Sequence, residues 1–247
     1  MIALYNTHPQ NLHSGPKLTH MKTFKNLFVL CILLITCVKF QAKCQPIPIQ
    51  DNENIINGKL WVPTILNSEG SQLFLGELQM KGYIRFDSVL YHGINLGYDL
   101  EQNEVLATIV TPNNTKRIIA LNKSRLQEFS FMNNGQEFHF KKGDLIHPDL
   151  NPKSFYQVVS TYNLTYVIHR EKQKVLKMKS RKYEYLKYNK LSIIKDNKIH
   201  SINKRKDLLD LLYDQKTEIK KYIQLHKLKI NSKHPMDIVP VILNFDL

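Results

Sequence analysis

The sequence predicts an α+β protein: a mostly antiparallel β-sheet, either open or closed into a barrel-like form, with a cap of C-terminal helices. Two observations support this fold class. Between residues 73 and 140, apolar side chains recur at every second position, which places them on one face of a pleated sheet. Between residues 203 and 247, the apolar spacing changes to three and four residues, the period of an amphipathic helix.

Short turn sequences separate the predicted strands at the spacing expected of antiparallel neighbours. Each contains Asn, Asp, Pro or Gly, residues that tolerate the backbone conformations of tight turns. The turns are Asp87-Ser88, Gln102-Asn103, Pro112-Asn113-Asn114, Asn133-Asn134-Gly135, Tyr162-Asn163 and Asp196-Asn197. The strand pattern therefore predicts a β-meander between Leu73 and Phe140 and a β layer that continues beyond it as far as residue 202.

The spacing of apolar residues in the helical region also predicts which side of the helix faces the sheet. Ile219 and Ile223 lie one helical turn apart, so we expect both to be buried against the sheet while Lys220 and Lys221 face water. Pro240 lacks the amide that an interior helical hydrogen bond needs, so we expect it to distort the last helical element.

Residues 21–44 have the pattern of an export signal rather than of a folded domain. Lys22 and Lys25 precede an apolar run from Leu27 to Val38, and the small residue Ala42 follows. The run is too short for an ordinary membrane span. We therefore expect an exported protein, located in the periplasm, associated with the outer membrane or released from the cell. Cleavage would leave at most Cys44 in the mature chain, so no intramolecular disulfide is expected.

The predicted organisation follows from these patterns. It consists of an upstream extension (1–20), a signal peptide (21–44), a linker or loose arm (45–58), a β-rich domain (59–202) and C-terminal helices packed on it (203–247).

Linear catalytic motifs are not found in the sequence. It has no Gly-x-Ser-x-Gly elbow, no His-Glu-x-x-His helix and no Gly-rich phosphate loop. We therefore expect a non-catalytic binding or structural protein without a cofactor. The alternative is an exported hydrolase whose carboxylates come from distant strands, because such pairs leave no linear motif. Its candidate acids are Asp99, Glu101, Glu128, Glu137, Asp144 and Asp149.

One loop carries the residue types of a metal site. Asp144, His147 and Asp149 follow a predicted strand, and carboxylate and imidazole groups at that spacing could hold a divalent ion. The simpler interpretation is a solvated turn in which Asp caps backbone amides, and we prefer it.

Charge is distributed unevenly along the chain. Residues 45–152 contain 9 basic and 12 acidic side chains, whereas residues 153–247 contain 21 and 9. A basic half of this kind can attract anionic membranes, glycans or acidic partner proteins of the envelope. Nucleic acid is not an expected partner, since no recognition motif is present. We expect the attraction to centre on a flexible or edge-positioned stretch comprising Lys172, Lys174, Lys177, Lys179, Arg181 and Lys182.

Several segments between residues 70 and 247 resemble a family of uncharacterised exported proteins from Gram-negative bacteria of the Bacteroidota type. They are Gly70-Ser71, Tyr98-Asp99-Leu100, the strand Phe155–Val159 and the helical segments Asp207–Leu209 and Glu218–Ile223. The resemblance implies a signal peptide, a β-rich body and a helical cap. It implies no activity and transfers no site residue.

Overall fold

The computed structural model describes residues 58–63, 68–111 and 113–245. The predicted upstream extension and signal peptide, and nearly all of the predicted linker, lie outside these residues. Within the described part of the chain, no helix has both the length and the apolar character needed to cross a membrane.

In the described ranges, twelve strands form one open sheet, so the predicted α+β class is confirmed. The strands are β1 (Lys59–Leu60), β2 (Ser68–Glu69), β3 (Met80–Phe86), β4 (Val89–Asp99), β5 (Glu104–Val110), β6 (Lys116–Ala120), β7 (Leu126–Asn133), β8 (Gln136–Lys142), β9 (Phe155–Ser160), β10 (Leu164–Lys177), β11 (Lys182–Lys195) and β12 (Lys198–Ser201). Their order in the sheet is β1-β6-β5-β4-β3-β7-β8-β9-β10-β11-β12, and β2 pairs with β11. All pairings are antiparallel except the one between β2 and β11.

The strand order divides the sheet into two meanders. One runs from β3 to β6 and the other from β7 to β12, and the pairing of β3 with β7 joins them. The predicted turns at Asp87, Asn103, Asn134 and Asp196 have positive backbone φ angles, and they connect neighbouring strands of the sheet. Asn and Asp adopt this left-handed conformation more readily than most residues. The turn between β10 and β11, where Arg181 has a positive φ angle, was not predicted.

Buried side chains on one face of the sheet form two separate hydrophobic cores. Phe155 and Val159 have the same parity along β9 and so point to the same face, which we call the inner face. Phe155 belongs to the first core, under β3–β9, and Val159 packs against the second, under β9–β12.

The first core, here called the aromatic core, is filled mainly by rings. Phe129 stacks on Phe140 with 4.8 Å between ring centroids, and Tyr98 meets both rings edge-on. Phe74 extends into this core from a 3₁₀ turn at Phe74–Gly76, and its ring centroid lies 5.2 Å from that of Phe138. The sheet therefore covers this half of its inner face with its own side chains and one short N-terminal insertion.

The second core, here called the cap core, is covered by helices instead. They are α1 (Arg205–Leu211), α2 (Lys216–Leu225) and α3 (Val239–Asn244). Ile219 and Ile223 are buried in the cap core together with strand residues such as Tyr166, while Lys220 and Lys221 are exposed. The predicted orientation of this helix is confirmed.

Pro240 lies where the last helical element changes character. A 3₁₀ turn covers Pro235–Ile238, and α3 follows with Pro240 in its first turn. A proline is tolerated there because the first-turn amides have no intrahelical acceptor. The element is thus divided into two short pieces.

Candidate functional site

A pocket of about 320 Å³ lies on the inner face at the boundary between the two cores, and we call it the seam pocket. Its apolar walls come from the N-terminal insertion, the strands of the aromatic core and the turn before α3. They consist of Phe74, Leu75, Leu100, Phe138, Pro235 and Met236. The polar lining consists of Gln136, Arg170, Glu171, Lys172, Lys187, Asn189 and Lys233. Four basic residues thus face one acidic residue.

The alternation of β10 brings two cations to this pocket. Tyr166 and Ile168 are buried in the cap core, and Arg170 and Lys172 continue the same parity along the strand. Side chains two residues apart share a face, so both cations point inward where the apolar covering ends. Lys187 lies directly opposite Lys172 on β11 and adds a third positive charge.

Arg170 is the central group of the pocket. Its Nε donates to Gln157 Oε1 at 2.7 Å and its Nη1 to Asn189 Oδ1 at 3.3 Å. The guanidinium lies over the ring of Phe74, with 5.2 Å from Cζ to the ring centroid. Within the described residues, no carboxylate lies within ion-pair distance of it. Burial lowers the pKa of Arg170 to about 10, although nearby Tyr166 and Tyr98 act in the opposite direction, so the side chain remains charged at neutral pH.

Lys172 is held in place by the segment of residues 71–73, which precedes the Phe74 turn. Its Nζ donates to the backbone carbonyls of Ser71, at 2.6 Å, and of Leu73, and its own amide donates to Leu100 O at 3.2 Å. Burial is the main cause that lowers its pKa to about 8. Repulsion from Lys187 acts on this pKa in the same direction as burial, and attraction to Asp99 acts in the opposite direction.

A buried carboxylate fixes the segment that holds Lys172. Asp99 is fully buried and accepts hydrogen bonds from the indole of Trp61, at 3.0 Å, from Gln72 and from the backbone amides of Glu101 and Gln102. Four donors satisfy both oxygens. Asp99 therefore acts as an anchor for the chain beside the pocket and does not line the pocket itself.

None of the six candidate acids of the hydrolase hypothesis is among the described residues that line the seam pocket. Glu128 and Glu137 lie near each other on the opposite side of strands β7 and β8, where burial and, after it, these two carboxylates raise the pKa of Tyr83. Glu101 pairs with Lys174 at 3.6 Å, and Glu137 accepts from Ser130. Burial raises the pKa of Glu128, but Arg85 and neighbouring cations outweigh that effect and hold it below its ordinary value. Among the described residues that line the seam pocket, Glu171 is the one carboxylate, and its Oε1 lies 3.3 Å from His169 Nδ1.

The loop proposed as a metal site has the geometry of a closed turn. His147 is buried, its Nε2 is 3.2 Å from Asn197 O, and its Nδ1 accepts from the amide of Asp149 at 3.2 Å. Both imidazole nitrogens are therefore occupied, and Asp144 is exposed. In the described ranges, no three His, Cys, Asp or Glu side chains are grouped closely enough to hold a metal ion.

The six basic residues of the predicted cationic stretch lie in a regular hairpin formed by β10 and β11. Lys172 is buried, Lys174 pairs with Glu101, and Lys177 pairs with Glu69 at 2.9 Å and with Glu184 at 3.0 Å. The remaining three are exposed at or beside the turn. These are Lys179, Arg181 and Lys182.

A larger groove of about 710 Å³ lies between β12 and α1, but its charges are nearly balanced. Lys195 and Lys198 line it together with Asp196, Asp207 and Asp210. The seam pocket differs because its cations are concentrated and its apolar walls are deep in the fold.

Comparison with known proteins adds no assignment to this geometry. No protein-family model, no curated protein and no solved structure matches the chain.

Proposed function

We propose that the protein is a non-catalytic binding protein of the cell envelope, and that its seam pocket receives a small molecule with an anionic end and an apolar body. The observation that carries this proposal is Arg170. It is a partly buried guanidinium whose hydrogen-bond partners in the described residues are all neutral.

An uncompensated charge of this kind favours an anionic ligand. Removing a cation from water costs several kcal/mol unless an opposite charge or several hydrogen bonds replace the lost hydration. Gln157 and Asn189 satisfy part of the guanidinium but leave its charge unbalanced. A carboxylate or phosphate at this position would supply the missing charge, and arginine binds both through paired hydrogen bonds.

The rest of the pocket favours a ligand that is partly apolar. Its volume of about 320 Å³ is that of a small-molecule site, and Phe74, Phe138 and Met236 line it. The apolar part of a ligand would displace water from these side chains while its anionic end reached Arg170. Lys187 and Lys233 line the pocket as well and would add long-range attraction.

The carboxylates of the described residues support a binding role over hydrolysis. Hydrolysis by the paired-carboxylate mechanism of glycosidases needs two carboxyl groups on either side of a substrate, whereas Glu171 is the one carboxylate among the described residues that line the seam pocket. Asp99, which has its oxygens occupied by four donors, serves the fold.

Calorimetric titration tests the proposal directly, with octanoate as the anionic probe and octanol as its uncharged control. We expect octanoate to bind and octanol to bind at least ten-fold more weakly. Arg170→Met should reduce octanoate affinity by about 10- to 100-fold, since hydrogen bonds to charged groups contribute roughly 1.5–3 kcal/mol each.

The matched control is Arg205→Met, which removes an exposed guanidinium that donates to Lys220 O on the helical cap. It should leave octanoate affinity unchanged. Circular dichroism and urea unfolding establish that both variants are folded. Equal binding of octanoate and octanol, or equal affinity in folded wild type and Arg170→Met, would refute the proposal.

The envelope location rests on the sequence pattern from Lys22 to Ala42 and has its own test. We expect the mature protein to begin between about Phe40 and Gln45. Intact-mass measurement of the protein from its native cells decides this, and a mature species that retains Leu27 to Val38 would contradict it.

A further inference from the structure

The far end of the β10–β11 hairpin has few neighbours in the sheet. We call residues 173–186 the distal ribbon. Strand β9 pairs with β10 only along residues 165–169, and β12 pairs with β11 only along residues 192–195. Within the described residues, the ribbon's strand neighbour is β2, at Tyr183 and Glu184. The ribbon therefore extends beyond the strands on either side of it.

Apolar side chains on the distal ribbon are exposed. Met178, at the turn, is 82% exposed, and Val175 and Leu176 are 42% and 44% exposed. They differ in this respect from the apolar residues near the start of β10, which are buried. An exposed apolar group at a projecting end is typical of an interaction site.

Basic side chains surround this apolar turn. Lys179, Arg181 and Lys182 are exposed, and within the described residues none of them lies in a salt bridge. Lys177 is different, because Glu69 and Glu184 neutralise it. Three exposed cations that form no salt bridge with the described residues therefore lie within a few residues of Met178. Lys177 is the main cause that lowers the pKa of the Glu69 carboxyl, and Lys182, one of these three cations, is near enough to contribute.

We propose that the distal ribbon docks on an anionic lipid bilayer, with Met178 entering the headgroup region and Lys179, Arg181 and Lys182 contacting lipid phosphates. The mixed character of the turn favours a bilayer. A polyanionic glycan would neutralise the cations but leave Met178 in water, whereas the boundary between headgroups and acyl chains offers both environments. This inference uses no residue of the seam pocket and is independent of the proposed function.

Co-sedimentation with vesicles tests the inference. The probe vesicles contain equal amounts of phosphatidylglycerol and phosphatidylcholine, and the reference vesicles contain phosphatidylcholine alone. We expect the protein to pellet with the anionic vesicles at low salt and less strongly at physiological salt, because screening confines the attraction to about 8 Å. Pelleting on both vesicle types to the same extent would overturn the proposal.

Two variants with equal charge locate the effect. Replacing Lys179, Arg181 and Lys182 by Gln should lower the partition coefficient on anionic vesicles about 100-fold. Replacing Lys204, Lys220 and Lys221 by Gln removes three exposed lysines from the helical cap and should have a much smaller effect. Equal losses in the two triple variants would show that net charge, and not the ribbon, determines binding.

A label at the turn tests insertion. Met178→Cys carrying an environment-sensitive fluorophore should shift its emission to the blue when anionic vesicles are added, whereas the same label at Tyr162, which is 96% exposed, should not. An unchanged spectrum at Met178→Cys, or retention on an immobilised anionic polysaccharide without vesicle binding, would exclude docking on a bilayer.

Discussion

The two halves of the sheet keep water from the same inner face in different ways. Under β3–β9, the rings of the aromatic core pack on one another, and a single insertion carrying Phe74 completes the cover. Under β9–β12, the cap core needs three helices, which contribute residues such as Ile223 and Val241. Neither cover extends fully over the boundary, where Arg170, Gln157 and Asn189 take the place of apolar side chains. The difference shows why the pocket lies at this point in the fold.

The aromatic core should be the less tolerant of the two. Phe129 contacts Phe140, Tyr98 and Phe155 at centroid distances of 4.8, 5.2 and 5.3 Å. Phe129→Ala removes a ring that interlocking neighbours cannot replace, so we expect a loss of about 3–5 kcal/mol in the free energy of unfolding by urea. Met132→Ala, at an exposed position of the same strand, is the control and should stay within about 0.5 kcal/mol of wild type. Similar losses in the two would mean that the rings do not form a packed core.

Truncating a buried side chain of the cap core should lower the free energy of unfolding by less, because helices can shift to fill part of the cavity. Ile223 is buried in α2, and Ile223→Ala should cost about 2–5 kcal/mol in the same urea titration. Lys221→Ala, on the exposed side of α2, should change the free energy of unfolding by at most about 0.5 kcal/mol. If the two variants lost equally little, the helical cap would not contribute to the stability of the sheet.

At the boundary between the two cores, Lys172 should make the free energy of unfolding depend on pH. The folded-state pKa of Lys172 is about 8 and its ordinary value is 10.5, so the unfolded chain binds more protons between these values. The contribution of Lys172 to stability therefore rises as pH increases from about 8 towards 10.5, since deprotonation relieves the cost of burying its charge.

The measurement is the difference in unfolding free energy between wild type and Lys172→Met across pH 8 to 10. Buried Tyr98 and Tyr166 have raised pKa values and destabilise the fold only above about pH 10, so this window avoids them. We expect the difference to change by about 2 kcal/mol in favour of wild type. A difference that is flat or declines with pH would show that Lys172 is not desolvated by the fold.

Much of the fold could be predicted because the relevant signals are local. Hairpin turns depend on a few residues with a left-handed backbone, as at Asp87 and Asn134, and strand faces depend on alternation within one strand. The pairing of β3 with β7 could not be predicted in this way. This pairing brings together the edges of two strands that are separated in the chain by β4, β5 and β6, and no short segment of the sequence encodes it.

The seam pocket was not predicted from the sequence, although one signal was available. Tyr166, Ile168, Arg170 and Lys172 alternate along a single strand, so the face that buries the first two also carries the two cations. The sequence could not show which other residues surround Arg170 in the folded chain. Phe74 and Met236 reach Arg170 from segments far away in the chain.

The cationic stretch illustrates the same limit. In the run from Lys172 to Lys182 no acid follows Glu171, so the sequence near these cations shows no counter-charge for them. In the folded chain, Lys177 meets Glu69 and Glu184, which come from other strands. Cross-strand pairs of opposite charge stabilise a sheet, so these residues form a regular hairpin.

We propose above that the seam pocket holds an anionic group against Arg170. Diffraction from crystals grown with ω-bromooctanoate tests it most directly, because the anomalous signal of bromine locates the apolar end and the electron density locates the carboxylate. We expect a bromine peak between Phe138 and Met236 and a carboxylate within hydrogen-bond distance of the Arg170 guanidinium. An empty seam pocket in crystals where the ligand is bound elsewhere, or a ligand in the pocket with its carboxylate pointing away from Arg170, would contradict it.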